Sequence, residues 1–564
     1  MSTDIQKRQI LVAQGYSHSI DARLYIWKKE NVLTRFWQKD GTIWVSDPTE
    51  AAQTSSLTDR LGWLTIAEEM RSKVDELVAF ANEVKDAGFT EVVLLGMGGS
   101  SLTPEVFMKT FGNADGYPAL TVLDSTHPAS VKRVADSLDY KTTIFIVSSK
   151  SGGTVETLSF YKYFFSEVSK ISNTPGDHFV AITDPNSKLE ATAKDKGFRR
   201  IFSSPHDIGG RYSTFTYFGL VPAALIGLDI ATLLDRTIGM INDVKDDIPY
   251  NSPLNLGVMM GELALAGRDK ITFFMSPQID AFGAWVEQLI AESTGKKEKG
   301  IVPIVDENLT ASAHYGDDRF FVYIRLEGDE NSELDNGFQT LEEAGFPIVK
   351  INLNDRFDLG REFFRWGLAT AAAGAVLEIN PFDQPNVELA KIKARELMAK
   401  YKETGELPIV EPNLREGNIE IYTTIENVKT LDDVLATIKP NDYLCLMAYI
   451  PQTKDSDEFL SVLRHVLRNK FRVATSVGYG PRFLHSTGQL HKGDGNKGVF
   501  IQLTHAPTIN VPIPDEGYTF GTLLLAQAQG DYQALADRSR RIVRLHFTGE
   551  SVNLLDVLKG ATSI

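Results

Sequence analysis

The sequence predicts an α/β protein with parallel sheets, and three observations lead to that class. Strand candidates come in two series, and helical segments separate the strands of each series. Each candidate is a short apolar run without polar alternation, as is typical of strands buried on both faces of a parallel sheet. The chain has 564 residues, of which 43% are hydrophobic and 23% charged, so it can fill large cores. We therefore expect two α/β/α sandwich subdomains and a smaller C-terminal α/β region.

The first sandwich is predicted over residues 61–235, after an N-terminal extension over residues 1–60. The extension contains a helical stretch at 20–36 and a turn-rich connection at 47–56. In the sandwich, a helix begins near Glu68 and ends at Gly88, because apolar residues recur at helical spacing up to that glycine. Strands are then predicted at 91–95, 120–123, 143–147, 179–182 and 200–202.

The second sandwich is predicted over residues 236–405. Its strand candidates lie at 271–275, 320–324 and 347–351, and its helices at 281–292, from about residue 361, and at 386–401. A polar segment at 402–413 is interpreted as a linker. The C-terminal α/β region then covers residues 414–564, with strands predicted near 443–449, 472–477 and 498–503.

Charge and composition exclude several classes of protein. With 58 Lys and Arg against 74 Asp and Glu, the net charge is −16, which argues against a nucleic-acid partner. A single cysteine, Cys445, allows no internal disulfide and favours a reducing, cytoplasmic location. We expect no membrane partner, since no window of 18 uninterrupted apolar residues occurs. Neither a metal site nor a cofactor is expected, because the sequence shows no His/Cys ligand pattern.

Two glycine- and hydroxyl-rich loops follow strands of the first series. GMGGSS follows the strand at 91–95, and SSKSGGTVET follows the strand at 143–147. Such loops at the carboxyl ends of parallel strands can meet in one crevice and present donors to a phosphate, although tight turns without a ligand are the alternative. The missing GK[ST] ending favours a sugar phosphate over ATP. The candidate residues are Gly99, Ser100, Ser149, Lys150, Ser151, Thr154 and Glu156.

Three further motifs each contain one charged residue. Each of these residues has two interpretations, one chemical and one structural. Arg211 follows two glycines and could stabilise an oxyanion, or it could form a surface salt bridge. Glu292 lies on the apolar face of its helix and could act as a base, or it could pair with Lys296 one turn later. Lys391 borders the buried stripe of the helix at 386–401, where it could face a ligand or simply extend its amine into water.

Together these motifs resemble the glucose-6-phosphate isomerase (phosphoglucose isomerase) family, which has the sugar isomerase (SIS) fold. The specific pieces are GGRYS, AESTGK and FDQPNVELAK, and the resemblance covers roughly residues 61–401. The segments LTRFWQKDGTIWVSDPTE and HSTGQLHKG look most like the isomerase half of bifunctional transaldolase/phosphoglucose isomerases. The resemblance implies a sugar phosphate substrate, and it also allows a homodimer.

The resemblance assigns roles to the motif residues. Glu292 matches the catalytic base, Arg211 the arginine that stabilises the cis-enediolate, and Lys391 the lysine that assists ring opening. Ser100 matches a phosphate-site serine, and Glu156 matches the glutamate that ends the main phosphate loop. The hydroxyls of that loop are matched by Ser149, Ser151 and Thr154.

One family feature is missing, because no Asn-Gly-Gln-His follows the ESTGK helix, where the ring-opening histidine normally lies. We expect His485 to take that role, since it flanks a Gly-Gln turn in HSTGQLH together with His491. His491 and His314 are the alternatives, and a purely structural histidine is a further one.

The sequence leaves three other functions as alternatives. A non-catalytic sugar-phosphate sensor with the same fold would need the phosphate loops but neither Glu292 nor Arg211. An amidotransferring isomerase would need an N-terminal glutaminase cysteine, and Cys445 is misplaced for that. An added phosphomannose isomerase activity would depend on contacts at C2 that the sequence does not reveal.

Overall fold

The computed structural model describes residues 8–245, 251–408 and 410–549. The parts of the predicted regions at 1–7, 246–250, 409 and 550–564 lie outside the described residues. In the part described, helices alternate with strands through two sheets, and a third sheet follows in the C-terminal region. The predicted α/β class is therefore confirmed.

The N-terminal region is packed against the second sandwich. Its strand pairs with an edge strand of that sandwich, and the Trp44 indole donates a hydrogen bond to the Ala371 carbonyl at 2.8 Å within the core. The helix predicted at 20–36 is two helices, divided at Asn31, whose backbone is left-handed. The elements are β1 Gln9–Val12, α1 Ser17–Lys29, α2 Val32–Trp37, α3 Pro48–Gln53 and α4 Ser55–Thr58.

The first sheet contains every strand predicted for it, and the strands are parallel. They are β2 Glu91–Gly96, β3 Ala119–Leu123, β4 Thr143–Ser148, β5 Phe179–Thr183 and β6 Arg200–Ser203, in the order β3-β2-β4-β5-β6. The apolar runs predicted strands correctly because both faces of this sheet are covered by helices. The helices of this part of the chain are α5 Ile66–Arg71, α6 Val74–Asp86, α7 Leu102–Phe111, α8 Pro128–Ser137, α9 Val155–Ser169, α10 Lys188–Asp195, α11 Tyr217–Leu225 and α12 Ile230–Asp243.

The second sheet has the order β1-β10-β9-β7-β8 and is parallel except for its edge strand β1. An antiparallel edge strand and the three-residue strand β8 were not predicted; β8 has the sequence Val-Pro-Ile, too short for a strand pattern. The new elements are α13 Ser252–Leu265, β7 Lys270–Met275, α14 Phe282–Thr294, β8 Val302–Ile304, β9 Arg319–Leu326, α15 Ser332–Glu343, β10 Ile348–Leu353, α16 Leu359–Val376 and α17 Val387–Thr404.

The C-terminal region is built on a mixed sheet of order β11-β12-β16-β15-β13-β14, in which β11 and β12 are antiparallel to their neighbours. The three predicted strands are present, and β11, β12 and β16 were missed. The elements are β11 Leu414–Glu416, β12 Ile419–Thr423, α18 Leu431–Leu435, β13 Tyr443–Tyr449, α19 Lys454–Phe471, β14 Ala474–Tyr479, α20 Gly488–Gly493, β15 Gly498–His505, α21 Phe520–Ala536 and β16 Arg541–Phe547.

The C-terminal region packs against both sandwiches. Phe520 at the start of α21 stacks on Phe160 of α9, with ring centroids 5.7 Å apart. Along the same helix, Gly530 lies against α17, and a Cβ there would be 2.7 Å from the Ala394 nitrogen. Only a glycine permits this approach, so α17 and α21 are in close contact. The C-terminal region thus forms one wall of the crevice into which the loops of the first sheet open.

Candidate active site

The two loops that were predicted to bind phosphate, called the phosphate loops, begin side by side. Strands β2 and β4 are parallel neighbours with Gly96 opposite Ser148, so both loops leave the same carboxyl edge of the sheet. The Ser148 hydroxyl donates to the Ser100 carbonyl at 3.3 Å, which ties one loop to the other. The expectation that both loops meet in one crevice therefore agrees with the geometry.

The first loop also contacts the GGRYS turn. A Cβ on Gly99 would lie 2.1 Å from the Gly210 carbonyl oxygen, closer than any side chain allows. A glycine at position 99 is therefore required for the close approach of the two turns. The contact places Ser100, which is 9% exposed, near the turn that carries Arg211.

The second loop presents hydroxyls at the N-terminus of α9. Ser149 Oγ and Thr154 Oγ1 are 3.0 Å apart, and Ser151 and Thr154 line the adjoining cleft. A helix N-terminus with neighbouring hydroxyls favours an anion. The Lys150 amine is not brought to this cleft, because it bonds both carboxylate oxygens of Asp184 at 2.8 and 2.6 Å. The predicted contact of Lys150 with substrate is thus not supported by its position.

Glu292 and Arg211 face each other in a buried position. Glu292 Oε2 lies 3.6 Å from Arg211 Nη1, and the two side chains are 12% and 2% exposed. Residues of helix α14 place the carboxylate, and the 3₁₀ turn Gly210–Tyr212 places the guanidinium. The surface salt bridge considered for Arg211 is therefore wrong.

Apart from Glu292 at 3.6 Å, the groups that hold Arg211 are neutral oxygens. Its Nε donates to Ser293 Oγ at 2.8 Å, and its Nη2 donates to the Pro381 and Asp383 carbonyls at 2.6 and 3.0 Å. Its Nη1 donates to Gln384 Oε1 at 3.1 Å. Neutral oxygens fix the guanidinium plane while retaining the cation, which suits it to stabilise a developing oxyanion.

Lys296 does not pair with Glu292, so that alternative is wrong. The buried amine instead contacts Asp383 Oδ1 at 2.9 Å and donates to the Asn380 carbonyl at 2.5 Å. Burial, together with the neighbouring Arg211 charge, lowers the pKa of Lys296 to about 7. The carboxylate of Glu292 thereby remains oriented toward Arg211 rather than toward the lysine that follows its helix.

His485 reaches the site from the C-terminal region. Its Nε2 lies 2.9 Å from Glu156 Oε1, and its backbone carbonyl accepts a hydrogen bond from Gln288 Nε2 at 2.7 Å. Burial alone would raise the pKa of Glu156, but the electrostatic attraction and the hydrogen bond of His485 outweigh it and lower that pKa. An ionised carboxylate only accepts hydrogen bonds, so Nε2 carries the imidazole proton. That leaves Nδ1 as the nitrogen able to exchange a proton with a ligand.

The other two histidines lie elsewhere. His491 is buried in the C-terminal region, with Nε2 3.7 Å from Cys445 Sγ, and burial lowers its pKa far below the usual range. His314 lies in a 3₁₀ turn before β9, where its Nδ1 is 2.9 Å from Thr310 Oγ1. Of the three candidates, His485 is the one beside the phosphate loop.

A cleft of about 590 Å³ lies beside the second loop and His485. The phosphate loop, α17 and the C-terminal region form its walls, which include Ser151, Thr154, Glu156, Lys391, His485 and Gln527. Lys391 is half-exposed, and its amine lies 2.8 Å from Glu388 Oε1. The lysine thus borders the cleft, and its amine is paired with a carboxylate of the same helix.

Three glutamines were not predicted to take part. Gln288 Nε2 lies 3.3 Å from Glu292 Oε2 and links it to His485, Gln384 contacts Arg211, and Gln527 contacts Glu156. Gln288 could have been found, because it precedes Glu292 by four residues on one helix face. Gln527 has no local sequence signal, since only the tertiary fold brings α21 to the phosphate loop.

Two kinds of feature are absent from the described residues. No group of three or more His, Cys, Asp or Glu side chains suited to a metal ion occurs among them. Over the same residues, no helix combines the length and the apolar character that crossing a membrane requires.

Comparisons with known proteins agree on one kind of enzyme. Residues 64–318 match a family model for phosphoglucose isomerase. A probable glucose-6-phosphate isomerase of Methanococcus maripaludis is 25% identical over 395 residues, covering 63% of this chain and 88% of the relative. The glucose-6-phosphate isomerase of Prochlorococcus marinus is 26% identical over 449 residues, covering 72% and 84%.

Solved structures show the same fold. A glucose-6-phosphate isomerase from Chlamydia trachomatis superposes with a TM-score of 0.57 at 18% identity, covering 71% of this chain and 91% of that one. A hypothetical protein from Thermus thermophilus gives 0.59 at 24% identity, covering 69% and all of that chain.

The double α/β sandwich, with two loops opening beside a carboxylate and a guanidinium, defines a protein of the SIS fold. The resemblance expected from the sequence is confirmed: the protein is an aldose–ketose isomerase of the glucose-6-phosphate isomerase type. A closer likeness to the bifunctional transaldolase/phosphoglucose isomerases stays a prediction.

Proposed function

We propose that this enzyme interconverts glucose 6-phosphate and fructose 6-phosphate through a cis-enediolate formed between Glu292 and Arg211. The activity follows from the family match and the curated relatives. The observation that carries the residue assignment is the buried pair at 3.6 Å beside two phosphate loops. Each group at the site then has a defined role in the reaction.

The phosphate of the sugar binds at the second loop. Ser149, Ser151 and Thr154 supply hydroxyl donors, and the N-terminus of α9 adds the positive end of its dipole. Ser100 in the first loop contributes from the other side of the crevice. A phosphate fixed at one end orients the carbon chain, so that C1 and C2 reach the buried pair.

Ring opening falls to His485, with Lys391 beside it. Glu156 holds the Nε2 proton, so Nδ1 gives a proton to, or takes one from, the sugar oxygens at C1 and C5. Lys391 lines the same cleft and supports the charge that develops as the ring opens.

Isomerisation then occurs on the open chain. Glu292 takes the proton from C2 and returns it to C1, while the hydroxyl proton of O2 is transferred to O1, which converts the aldose into the ketose. The guanidinium of Arg211 stabilises the oxyanion of the enediolate, because the charge is fixed and shielded from water. Gln288 orients the Glu292 carboxylate from one turn earlier in α14.

A non-catalytic sensor is disfavoured by the same pair, since binding alone requires neither a buried base nor a buried arginine. An amidotransferring isomerase is disfavoured as well, because Cys445 is buried and burial raises its thiol pKa to about 12. An added phosphomannose isomerase activity stays a prediction that the assay below would reveal with mannose 6-phosphate.

We infer a cytoplasmic enzyme whose partner is the sugar phosphate, without nucleic acid or membrane partners; a homodimer is compatible with every assignment above. The test is a coupled assay of purified protein with fructose 6-phosphate, with and without a chelator. Turnover that survives the chelator supports the proposal. Folded protein that binds the sugar phosphate without turning it over contradicts it and supports the sensor.

A further inference from the structure

The Glu156 carboxylate next to His485 has a second donor. Gln527 Nε2 lies 2.7 Å from Glu156 Oε1, the same oxygen that faces the histidine. On the other side of Gln527, its Oε1 lies 2.8 Å from the hydroxyl of Thr126. Thr126, Gln527, Glu156 and His485 thus form a continuous line of hydrogen bonds.

The direction of each hydrogen bond follows from Glu156. Because the carboxylate only accepts, the amide of Gln527 must turn its NH₂ toward Glu156, and its oxygen must then face Thr126. Thr126 is therefore the donor at the outer end. The arrangement satisfies both ends of the Gln527 amide and leaves one amide orientation.

Burial makes this line rigid. Thr126, Gln527 and Glu156 are 0%, 4% and 4% exposed, so water cannot readily replace a lost partner. Three separate parts of the fold contribute: the loop after β3 carries Thr126, α9 carries Glu156, and α21 carries Gln527. Docking of the C-terminal region against the first sandwich therefore completes the line.

We propose that Gln527 and Thr126 are positioning residues for ring opening, which fix the Glu156 carboxylate and thereby hold His485 as the Nε2–H tautomer. The inference rests on the proposed function for its kinetic consequence. Neither residue has a place in binding the phosphate or in the proton transfer at Glu292.

The test uses matched variants of the full chain. Gln527→Leu removes the donor to Glu156, and Gln533→Leu on the same helix, away from the cleft, is its control. Thr126→Val removes the outer hydroxyl, whereas Thr126→Ser keeps it. We expect Gln527→Leu and Thr126→Val to lower kcat on cyclic glucose 6-phosphate by about tenfold, the effect of one lost hydrogen bond of ordinary strength. KM and the affinity for an open-chain enediolate mimic should stay unchanged.

Two readouts separate this role from a structural one. In the His485→Ala background, adding Gln527→Leu should cause no further loss, because the histidine it positions is gone. ¹⁵N NMR of the His485 imidazole should show the Nε2–H tautomer in the wild type and in Thr126→Ser, but a tautomer mixture in Gln527→Leu and Thr126→Val.

Unchanged imidazole signals in Gln527→Leu, or an equal loss of kcat in both backgrounds, would overturn the inference. The NMR arm needs no turnover. An inactive wild type would therefore count against the proposed function. The imidazole signals would still show whether Gln527 and Thr126 fix the tautomer of His485.

Discussion

Glu156 and His485 are 329 positions apart in the sequence, yet Oε1 of one and Nε2 of the other lie 2.9 Å apart. The first lies in the first turn of α9, directly after the phosphate loop, and the second lies in a 3₁₀ turn of the C-terminal region. The site of one chain therefore includes a histidine supplied by its own C-terminal region. Substitutions of single residues at this site should therefore have effects on kcat, KM or stability that can be measured separately.

Replacing Glu292 by Gln should lower kcat by about 10²–10⁴-fold, because the base for the C2 proton is lost while the shape is kept. Exchange of the C2 proton with solvent should fall in parallel. Glu287→Gln on the same helix is the control: burial, with the nearby Asp306, raises the pKa of Glu287 to about 8, so a neutral amide replaces a largely neutral acid. Near-normal turnover of Glu292→Gln would show that another group is the base.

Replacing Ser149 or Thr154 by Ala should raise KM with little change in kcat, since the phosphate is bound alike in the ground and transition states. A hydrogen bond to a charged group contributes about 1.5–3 kcal/mol, so the rise should reach about tenfold or more. Ser169→Ala at the far end of α9 should have no effect in the same steady-state assay. A large loss of kcat at constant KM would argue that these hydroxyls act on the reacting carbons.

Replacing His485 by Ala should slow turnover of cyclic glucose 6-phosphate and leave the binding of an open-chain enediolate mimic intact. The reason is that ring opening and proton transfer use different groups. His314→Ala, in a turn away from the cleft, should behave as the wild type. If the His314 or His491 variant alone shows the ring-opening defect, the assignment to His485 is wrong.

Replacing Gly99 by Ala should abolish most activity and lower Tm, because the new Cβ would lie 2.1 Å from the Gly210 oxygen and separate the two turns. Gly153→Ala in the other loop is the matched control, as its Cβ would have the nearest heavy atom, Ser151 Oγ, at 3.9 Å. Calorimetry and the coupled assay measure both effects. Equal tolerance of the two substitutions would contradict the close contact of the turns.

Stability should depend on pH through Lys296, because burial and the Arg211 charge lower its pKa from the usual 10.5 to about 7. Between these values the unfolded chain binds the proton that the folded chain has released, so the lysine's contribution to stability rises with pH. The free energy of unfolding of the wild type minus that of Lys296→Met should therefore increase from about pH 7 to 10. Denaturant titrations at several pH values measure this difference, and a flat difference would mean that the lysine stays charged.

The sequence predicted the parts of the site that lie next to strand ends. The register of β2 and β4 brings the two loops together, and apolar runs identify both strands. Glu292 and Arg211 were found through local motifs, but their mutual approach depends on how the two sandwiches pack. Gln527 could not be predicted, because its contact with Glu156 arises from tertiary docking alone.

Two strands of the fold could not be predicted from local sequence either. Strand β8 has three residues and a proline, which is too little for periodicity to detect. Strand β1 is a short apolar run in a polar segment, and its partner β10 lies more than 300 residues later. Local sequence determines neither pairing.

The β1 strand has a consequence for handling the protein. By pairing with β10 along Gln9–Val12, it covers the backbone donors and acceptors at one edge of the second sheet. A chain shortened past Ala13 would present β10 as an open edge, which is a template for strand exchange between molecules. The β1 residues thus protect this sheet edge against self-association, although they lie far from the sugar phosphate cleft.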